Sequence, residues 1–413
     1  GVPIPTEVVS YEDNVKNFLN PYAFTSTNGV ALTSSSDAAN YRLGYTNMTH
    51  SGLIPNSDLH KNSYALAVSS KLWDKVTVST DINFNHSWAD NRPASNRGTN
   101  PLQWAYANPT NIDIRQLQDY GSGNNILRVS NNHENPYFLA YDVNNSFSRF
   151  RLYGNLMATW EVSDNFSIMG RYTLNKYDDT RESKIAPGYL NEPNNGAYGI
   201  VVGEGLERNM DILATYKKDW DNFNLSISGG ANAMYQRSAS ISNSSKPGSG
   251  LVVPNLFTVD NINSGSLQYY NRRYEKSINS VYGMANFGWK DIAYVDLTAR
   301  NDWSSTLPAE NRSYFYPSAS LSLLVNNMFN MGNSVNLFKL RAGWAQVGND
   351  TGPYRLNATY GNSGQWGDAT MLSKPGGLLA PNLLPEQATS LEFGIDLKLF
   401  HNRLRFEGTY YTV

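Results

Sequence analysis

The chain alternates apolar and polar residues with a period of two along most of its length. Between Tyr64 and Trp88, apolar side chains occupy one face of two successive arms, while Asp, Asn, Ser and Thr occupy the other. Trp73-Asp74-Lys75 joins the arms, so this stretch predicts an antiparallel hairpin. Each arm exceeds the roughly five or six residues of a soluble strand and matches the roughly nine to eleven that cross a bilayer at a tilt. The pattern predicts transmembrane strands with one lipid face and one wet face.

The same unit recurs along the sequence and predicts about fourteen strands in all. Tight turns rich in Asp and Asn alternate with long connections, as short periplasmic turns and extracellular loops do in outer-membrane barrels. These turns are Ser163-Asp164-Asn165, Asp221-Asn222, Lys290-Asp291 and Phe400-His401-Asn402. Aromatic residues beside the tight turns predict an interfacial girdle: Trp73, Trp160, Trp220, Trp289, Phe329 and Phe400. A soluble β-sandwich or propeller is the less favoured alternative, because its strands are shorter.

Two parts of the chain do not follow the alternation. Residues 1–23 show no period and are interpreted as a connector, and the hairpins are expected to begin near Gly29. The segment from Trp88 to about Asn145 is rich in Asn, Pro and Gly. It is too long for an ordinary connection, so we interpret it as a functional surface loop.

Composition narrows the classes of protein further. The chain has 413 residues, a net charge of −2 and no cysteine. It lacks the apolar run of about 18 residues that a membrane-spanning helix needs, which excludes a helical membrane protein. A near-neutral balance without basic clusters makes nucleic acid an unexpected partner. Without cysteine there is neither a disulfide nor thiol chemistry.

The sequence offers no defensible catalytic or metal site. No two of the five histidines have metal-ligand spacing, and no Gly-x-Ser-x-Gly elbow has partners. We therefore predict no enzyme activity, no metal and no cofactor. Charged residues on the polar face are instead predicted to face the lumen and to pair there: Asp81, Arg151, Asp296, Arg300, Asp302, Arg341 and Glu392. These observations leave a porin, an adhesin and an active transporter open.

Several ordered motifs resemble one family. Leu340–Asp350 is similar to the "LR.SYG..GN" strand of the SusC/RagA family of TonB-dependent outer-membrane transporters. Arg300–Ser305 and Phe315–Ser320 resemble its "R.D.SS" and "FPS.S" hairpin, and Gly52–Ser57 and Leu384–Gly394 match two further segments. Four matches in the same order, spread over most of the chain, are more specific than any one motif.

The resemblance implies an all-β fold, a transmembrane antiparallel β-barrel of about 22 strands. Asn14–Phe18 is similar to the family's passage from plug to barrel, so residues 1–23 would be a connector at the end of the plug. Residues 24–413 would form part of the barrel, and the N-terminal plug and C-terminal strands would lie outside this chain. The implied location is the outer membrane of a Gram-negative bacterium, of the Bacteroidota type.

The implied function is TonB-dependent import of a large nutrient, an oligosaccharide or a peptide. The implied partners are a SusD-like surface lipoprotein that acts as a lid, the TonB-ExbB-ExbD complex acting through the plug, and outer-membrane lipid. A dimer of transporter–lipoprotein pairs is also considered. A passive porin, an outer-membrane enzyme and an adhesin are the alternatives. We hypothesise that loop aromatics contact substrate or lid, since aromatic faces bury a large area: Trp104, Tyr106, Tyr120 and Trp366.

Overall fold

A computed structural model describes residues 9–95, 98–121, 126–192, 195–329, 331–332, 334–377 and 379–413. The strands are β1 Phe24–Ser35, β2 Ala39–Ser51, β3 Asp58–Leu72, β4 Val76–Ala89, β5 Val143–Ser163, β6 Phe166–Ile185, β7 Ala197–Trp220, β8 Phe223–Ser245, β9 Leu267–Trp289, β10 Ala293–Ser304, β11 Ser313–Leu324, β12 Val335–Asn349, β13 Gly361–Trp366, β14 Ala369–Ser373, β15 Glu386–Leu399 and β16 Leu404–Thr412. The helices are α1 Asn14–Phe18, α2 Pro101–Tyr106, α3 Pro136–Tyr141 and α4 Val325–Met328, with short 3₁₀ turns at Ile114–Leu117, Val259–Asn261 and Ser264–Ser266.

Fourteen strands form one antiparallel sheet in chain order, from β1 to β12 and then β15 and β16. The other two strands, β13 and β14, form a separate hairpin within the connection between β12 and β15. The predicted strand number and antiparallel pairing are therefore confirmed. The first strand begins at Phe24, a few residues before the expected start near Gly29.

The tight turns have the backbone geometry that hairpins need. Trp73 and Asp74 both have positive φ, at 49° and 59°, and Lys290 and Asp291 repeat this at 50° and 53°. Two successive left-handed residues match the right-handed twist of the flanking strands. The girdle aromatics beside these turns are largely exposed on the sheet, as an interfacial position requires.

The strands of the large sheet differ in length. Strands β5 to β9 have 20 to 24 residues, whereas the other strands of the large sheet have 9 to 15. At about 3.3 Å per residue and a tilt of ~45°, a strand of 24 residues rises about 55 Å, against a hydrocarbon core of about 30 Å. Because the tight turns end the strands at one side, the surplus length projects at the end with long connections.

The long segment between β4 and β5 is folded. It contains α2, α3 and the first 3₁₀ turn, and it packs against α1 through buried apolar side chains. Phe18 of α1 meets Tyr137 of α3 edge to face, with ring centroids 5.1 Å apart. We refer to residues 98–121 and 126–142, together with α1, as the helical unit. Two clusters of buried apolar residues lie in and beside this unit, and a third joins Tyr198, Leu251 and Ile262.

Among the described residues, no helix has both the length and the apolar composition to cross a membrane.

Candidate functional site

The polar face of the sheet carries the predicted charged residues, and most of them are paired. Arg300 Nε donates to Asp302 Oδ1 at 2.7 Å, and Arg300 Nη2 donates to Ser280 Oγ at 2.7 Å. The hydroxyl of Tyr316 donates to the other oxygen of Asp302. Asp302 is only 5% exposed. Its buried negative charge is balanced by the guanidinium of Arg300.

A second carboxylate joins three strands near the long-connection end. Asp350 follows β12, and its Oδ1 lies 2.5 Å from Nζ of Lys276 on β9. Its Oδ2 accepts hydrogen bonds from Ser304 and, at 3.1 Å, from Thr306, both at the end of β10. We call these four residues the Asp350 node. The node fixes the point where the β12–β15 connection leaves the sheet.

Arg341 holds together the last strands of the sheet. It lies within 4 Å of three carboxylates: Glu392 at 3.5 Å, Asp396 at 3.9 Å and Glu407 at 3.7 Å. Its side chain crosses Gly394 of β15, where an added Cβ would lie 2.1 Å from Arg341 Nε. Glycine at this position therefore gives the guanidinium its path to the carboxylates.

Asp296, Arg151 and Asp81, the remaining predicted residues of the polar face, form no ion pair with a described residue. Asp296 accepts from Asn286 at 2.5 Å and from Ser320 at 3.1 Å. Arg151 donates to Asn175 at 2.9 Å. Asp81 shares a cross-strand row with Ala67 and Arg42, beside a cavity of about 600 Å³. The polar face thus carries both ion pairs and neutral hydrogen bonds.

The helical unit is tied to neighbouring loops by buried carboxylates. Glu134 Oε2 lies 3.2 Å from Nη2 of Arg128, and both side chains are almost fully buried. Glu134 Oε1 accepts from the backbone N–H of Leu190 at 2.5 Å, and Arg128 also donates to the carbonyl of Gly188. Burial raises the pKa of Glu134, while these hydrogen bonds and Arg128 act in the opposite direction.

Glu192 makes the next link. Its Oε2 accepts from the backbone N–H of Gly248 at 2.5 Å, and burial raises the pKa of its carboxyl. Asn195 donates to the carbonyl of Leu251 at 3.1 Å. Leu251 is itself buried with Tyr198 and Ile262. The three connections after β4, β6 and β8 therefore form one bonded series.

Two of the four predicted contact aromatics, Trp104 and Tyr120, are partly buried and pack against the apolar core of the helical unit. The indole N–H of Trp104 donates to the carbonyl of Gly98 at 2.6 Å, and its ring meets His133 edge to face at 4.9 Å. The ring of Tyr120 meets Phe138 edge to face at 5.8 Å. Burial and a hydrogen bond with Asp142 raise the pKa of the Tyr120 hydroxyl. Both rings therefore contribute packing contacts to the unit.

The other two are accessible. Tyr106, at the end of α2, is 71% exposed, and Trp366, at the tip of the β13–β14 hairpin, is 80% exposed. The structure therefore divides the four candidates into two that pack and two that are free to contact another molecule.

The histidines and carboxylates of the described residues do not assemble a metal site. Within the described ranges, no group of three or more His, Asp or Glu side chains is placed to hold a metal ion. His133, the loop histidine, is buried, and its Nε2 lies 3.2 Å from the carbonyl of Trp104. Burial lowers the pKa of His133. Its contacts are those of a packing residue.

Comparison with known sequences finds relatives among TonB-dependent receptors. No protein-family model matches the chain. Two curated proteins of Formosa agariphila, TonB-dependent receptor P3 and TonB-dependent receptor P26, are each 22% identical to it. The alignments cover 94% and 100% of this chain but 39% and 42% of the relatives. The chain spans about two fifths of the length of the curated relatives it matches.

Comparison with solved structures gives the fold. The RagAB peptide transporter matches with a TM-score of 0.79 at 19% identity, over 94% of this chain and 44% of that chain. The RagAB peptide importer in its open-open state gives 0.80 at 19% identity, over 96% and 44%. The ferric preacinetobactin receptor BauA of Acinetobacter baumannii gives 0.53 at 10% identity, over 92% and 51%.

The fold is therefore that of a TonB-dependent transporter barrel. Within that class, the sequence relatives and the RagAB structures confirm the resemblance to the SusC/RagA family that the motifs predicted. They also confirm the predicted location, the outer membrane of a Gram-negative bacterium. The relatives are named as receptors and transporters, not as enzymes.

The sequence did not reveal Lys276, Thr306 or Tyr316 as members of the polar network. Their partners Asp302, Ser304 and Asp350 belong to the motifs that resemble the family. Those motifs were the one sequence signal that could have indicated the network. Glu134 and Arg128 were also missed, because nothing local marks a carboxylate that a distant loop will bury.

Proposed function

We propose that this chain forms part of the wall and external loops of a TonB-dependent importer. The importer would carry a large nutrient, an oligosaccharide or a peptide, across the outer membrane without chemical change. The observation that carries the proposal is a sequence and fold relationship to TonB-dependent receptors over 94% of the chain. The polar face, with its paired charges, supports passage of a polar solute, because it offers hydrogen bonds without a strong field of one sign.

A SusD-like surface lipoprotein is the proposed partner at the long-connection end. Support comes from the similarity to the RagAB peptide transporter and from the exposed aromatic residues that this chain places at that end. Tyr106 and Trp366 have wide exposed faces, and aromatic faces contribute large contact area when a partner or substrate covers them. The TonB complex would supply energy through a plug, and two transporter–lipoprotein pairs would form the dimer. Residues 1–23 remain proposed as a connector to the plug.

The test uses the full-length protein in its own bacterium. Double substitution Tyr106→Ala and Trp366→Ala is expected to reduce uptake of a fluorescent oligosaccharide or peptide at least several-fold, because both contact surfaces are lost. Trp73→Ala is the matched control, since Trp73 is 84% exposed at the tight-turn end. It should leave uptake unchanged.

Energy dependence separates an importer from a passive pore. A protonophore should abolish accumulation of the nutrient while protein levels stay constant. Steady ion conductance of the purified full-length protein in planar bilayers, together with uptake that resists the protonophore, would contradict the proposal and favour a porin. Unchanged uptake in the double variant would remove the assignment of Tyr106 and Trp366, but not the importer itself.

A further inference from the structure

Strand β9 extends beyond its neighbour β10 at the long-connection end. The last pair of the β9–β10 ladder is Ile278 with Ser304, whereas the ladder between β9 and β8 continues to Leu267. About eleven residues of β9 therefore pass the end of β10, which is ~36 Å of strand. Strands β10 and β11 have 12 residues each, against 23 in β9. We call the gap in the rim above β10 and β11 the notch.

The side of β9 that faces the notch presents unpaired backbone groups. The N–H of Ser305 donates to the carbonyl of Ser277 at 2.9 Å, so the backbone groups of Ser277 point to the β10 side. In an antiparallel ladder, every second residue directs its N–H and carbonyl the same way. These residues are Glu275, Arg273, Asn271 and Tyr269. We call this side of residues 267–275 the β9 edge, and among the described residues no strand pairs with it.

The β13–β14 hairpin is incomplete in a complementary way. Within the described ranges its two strands pair only with each other, and every residue of both is exposed. Trp366 and Leu372 are 80% and 62% exposed. A lone two-stranded hairpin is at best marginally stable in water, so a third strand would supply pairing that it lacks. Neither strand of the hairpin carries a charged residue that would oppose such pairing.

The connection that carries the hairpin is fastened at the foot of the β9 edge. Asp350 pairs with Lys276 of β9, and the ring of Tyr354 stacks on Tyr274 with centroids 6.3 Å apart. Residues 355–360 then lead to the hairpin and span up to about 20 Å. Because the β9 edge begins beside Tyr274, the hairpin can reach it without a change at either anchor.

The far end of the connection is also held. Asn311, in the loop between β10 and β11, donates from Nδ2 to the carbonyl of Asn382 at 3.1 Å. The two attachments lie on opposite sides of the notch, so the middle of the connection swings across it. The chain leaves β12 in the direction opposite to β9, which favours antiparallel pairing of β13 with β9.

We propose that β13 adds to the β9 edge as an antiparallel strand and so closes the notch. The structure shows the open arrangement, and the closed one interconverts with it in the membrane-embedded protein. Six residues of β13 match the length of the exposed part of the edge, residues 268–274. Closure would raise the wall beside the polar face. Its use in enclosing a solute rests on the proposed importer, whereas the pairing itself does not.

The first test is hydrogen exchange of the full-length protein in lipid nanodiscs. Asn271→Pro removes one N–H of the β9 edge, and the ladder with β8 tolerates the change because that N–H points away from β8. Exchange of β13 should become about fivefold faster, which corresponds to a closed population of about four in five. Asn271→Ala is the matched control, since it keeps the N–H and should exchange like the wild type. Unchanged exchange of β8 confirms that the sheet is intact.

Disulfide cross-linking is the second test, because the chain has no cysteine of its own. Asn271→Cys is combined in turn with Asn362→Cys, Ser363→Cys and Gln365→Cys. Residues directly opposite in paired strands come within disulfide distance, so at least one pair should cross-link in most molecules. Asp260→Cys, at an exposed position in the connection between β8 and β9, is combined with the same partners as the collision control.

Equal exchange of β13 in the wild type and in both Asn271 variants would overturn the proposal. Cross-linking no greater than in the collision control would also overturn it. The outcomes separate closure from import. A cross-link without protonophore-sensitive uptake would support closure and contradict the importer, whereas protonophore-sensitive uptake without a cross-link would do the reverse.

Discussion

Two long segments at the same end of the sheet are built in opposite ways. The helical unit between β4 and β5 buries apolar clusters and a carboxylate–guanidinium pair, and hydrogen bonds tie it to the next two connections. The connection between β12 and β15 places a two-stranded hairpin in the open, with every residue of both strands exposed. The Asp350 node fastens that connection at its base. One segment is packed against its neighbouring connections, and the other stands apart from them on an attachment at its base.

Glu134→Ala should cause the largest loss of stability, and the loss should fall on the helical unit. The change leaves Arg128 buried without its carboxylate and Leu190 N–H without its acceptor, which costs about 3–5 kcal/mol of local stability. Hydrogen exchange of residues 126–142 should speed up by more than a hundredfold. Glu310→Ala, at an exposed loop position, is the control. Unaltered exchange in the Glu134 variant would show that the helical unit is not held by this pair.

Asp350→Ala should have the next largest effect. It removes the ion pair with Lys276 and the bonds from Ser304 and Thr306, and charged hydrogen bonds contribute about 1.5–3 kcal/mol. Proteolysis within residues 350–377 should become faster while the helical unit stays protected. Asp368→Ala, at the exposed hairpin tip, should change nothing. Loss of protection in both segments would erase the contrast between them.

Acidification should destabilise the helical unit through His133. The folded pKa of His133 lies below its usual 6.5 because of burial, so the neutral ring stabilises the fold above pH 6.5 and that stability is lost as pH falls through the folded pKa. Glu134 acts in the opposite sense, because its folded pKa lies above the usual 4.5. Exchange rates of wild type and His133→Gln, compared between pH 7.5 and 5.5, isolate the histidine. If the exchange rates of the two proteins changed equally between pH 7.5 and 5.5, His133 would not be the residue responsible.

Trp366→Ala should have the smallest effect on stability. With 80% of the residue exposed, its loss should change the free energy of unfolding by no more than about 0.5 kcal/mol. Trp104→Ala is the informative counterpart, since that indole is bonded inside the helical unit. The thermal transition of the purified full-length protein should separate the two variants. A larger shift for Trp366 than for Trp104 would mean that the hairpin is packed.

The sequence predicted the membrane-spanning parts of the strands because one face had to be apolar there. Above the membrane both faces meet water, so the upper halves of β5 to β9 lose the period-two signal. In β6, for example, Asp178 and Asp179 are adjacent but lie on opposite faces. A strand that is polar on both sides cannot be distinguished from a loop by alternation.

The helices were missed for a related reason. Both α2 and α3 have six residues, which is too short for a helical period. Their one signal was Asn-Pro at the start of each: Asn100 and Asn135 accept bonds from the first turn, and proline follows at the first helical position. The Asp350 node and the β9 edge required strand register, which no local pattern supplies.

The order of the large sheet has a consequence for how such a wall can be made. Each strand pairs with its neighbour in the chain, and the single skip, from β12 to β15, passes over an external hairpin. Pairing never requires a strand to wait for a partner from a remote part of the sequence, so the entropy of closing large loops is not incurred. Synthesis order and sheet order coincide. The sheet can therefore be extended one hairpin at a time while it enters the bilayer.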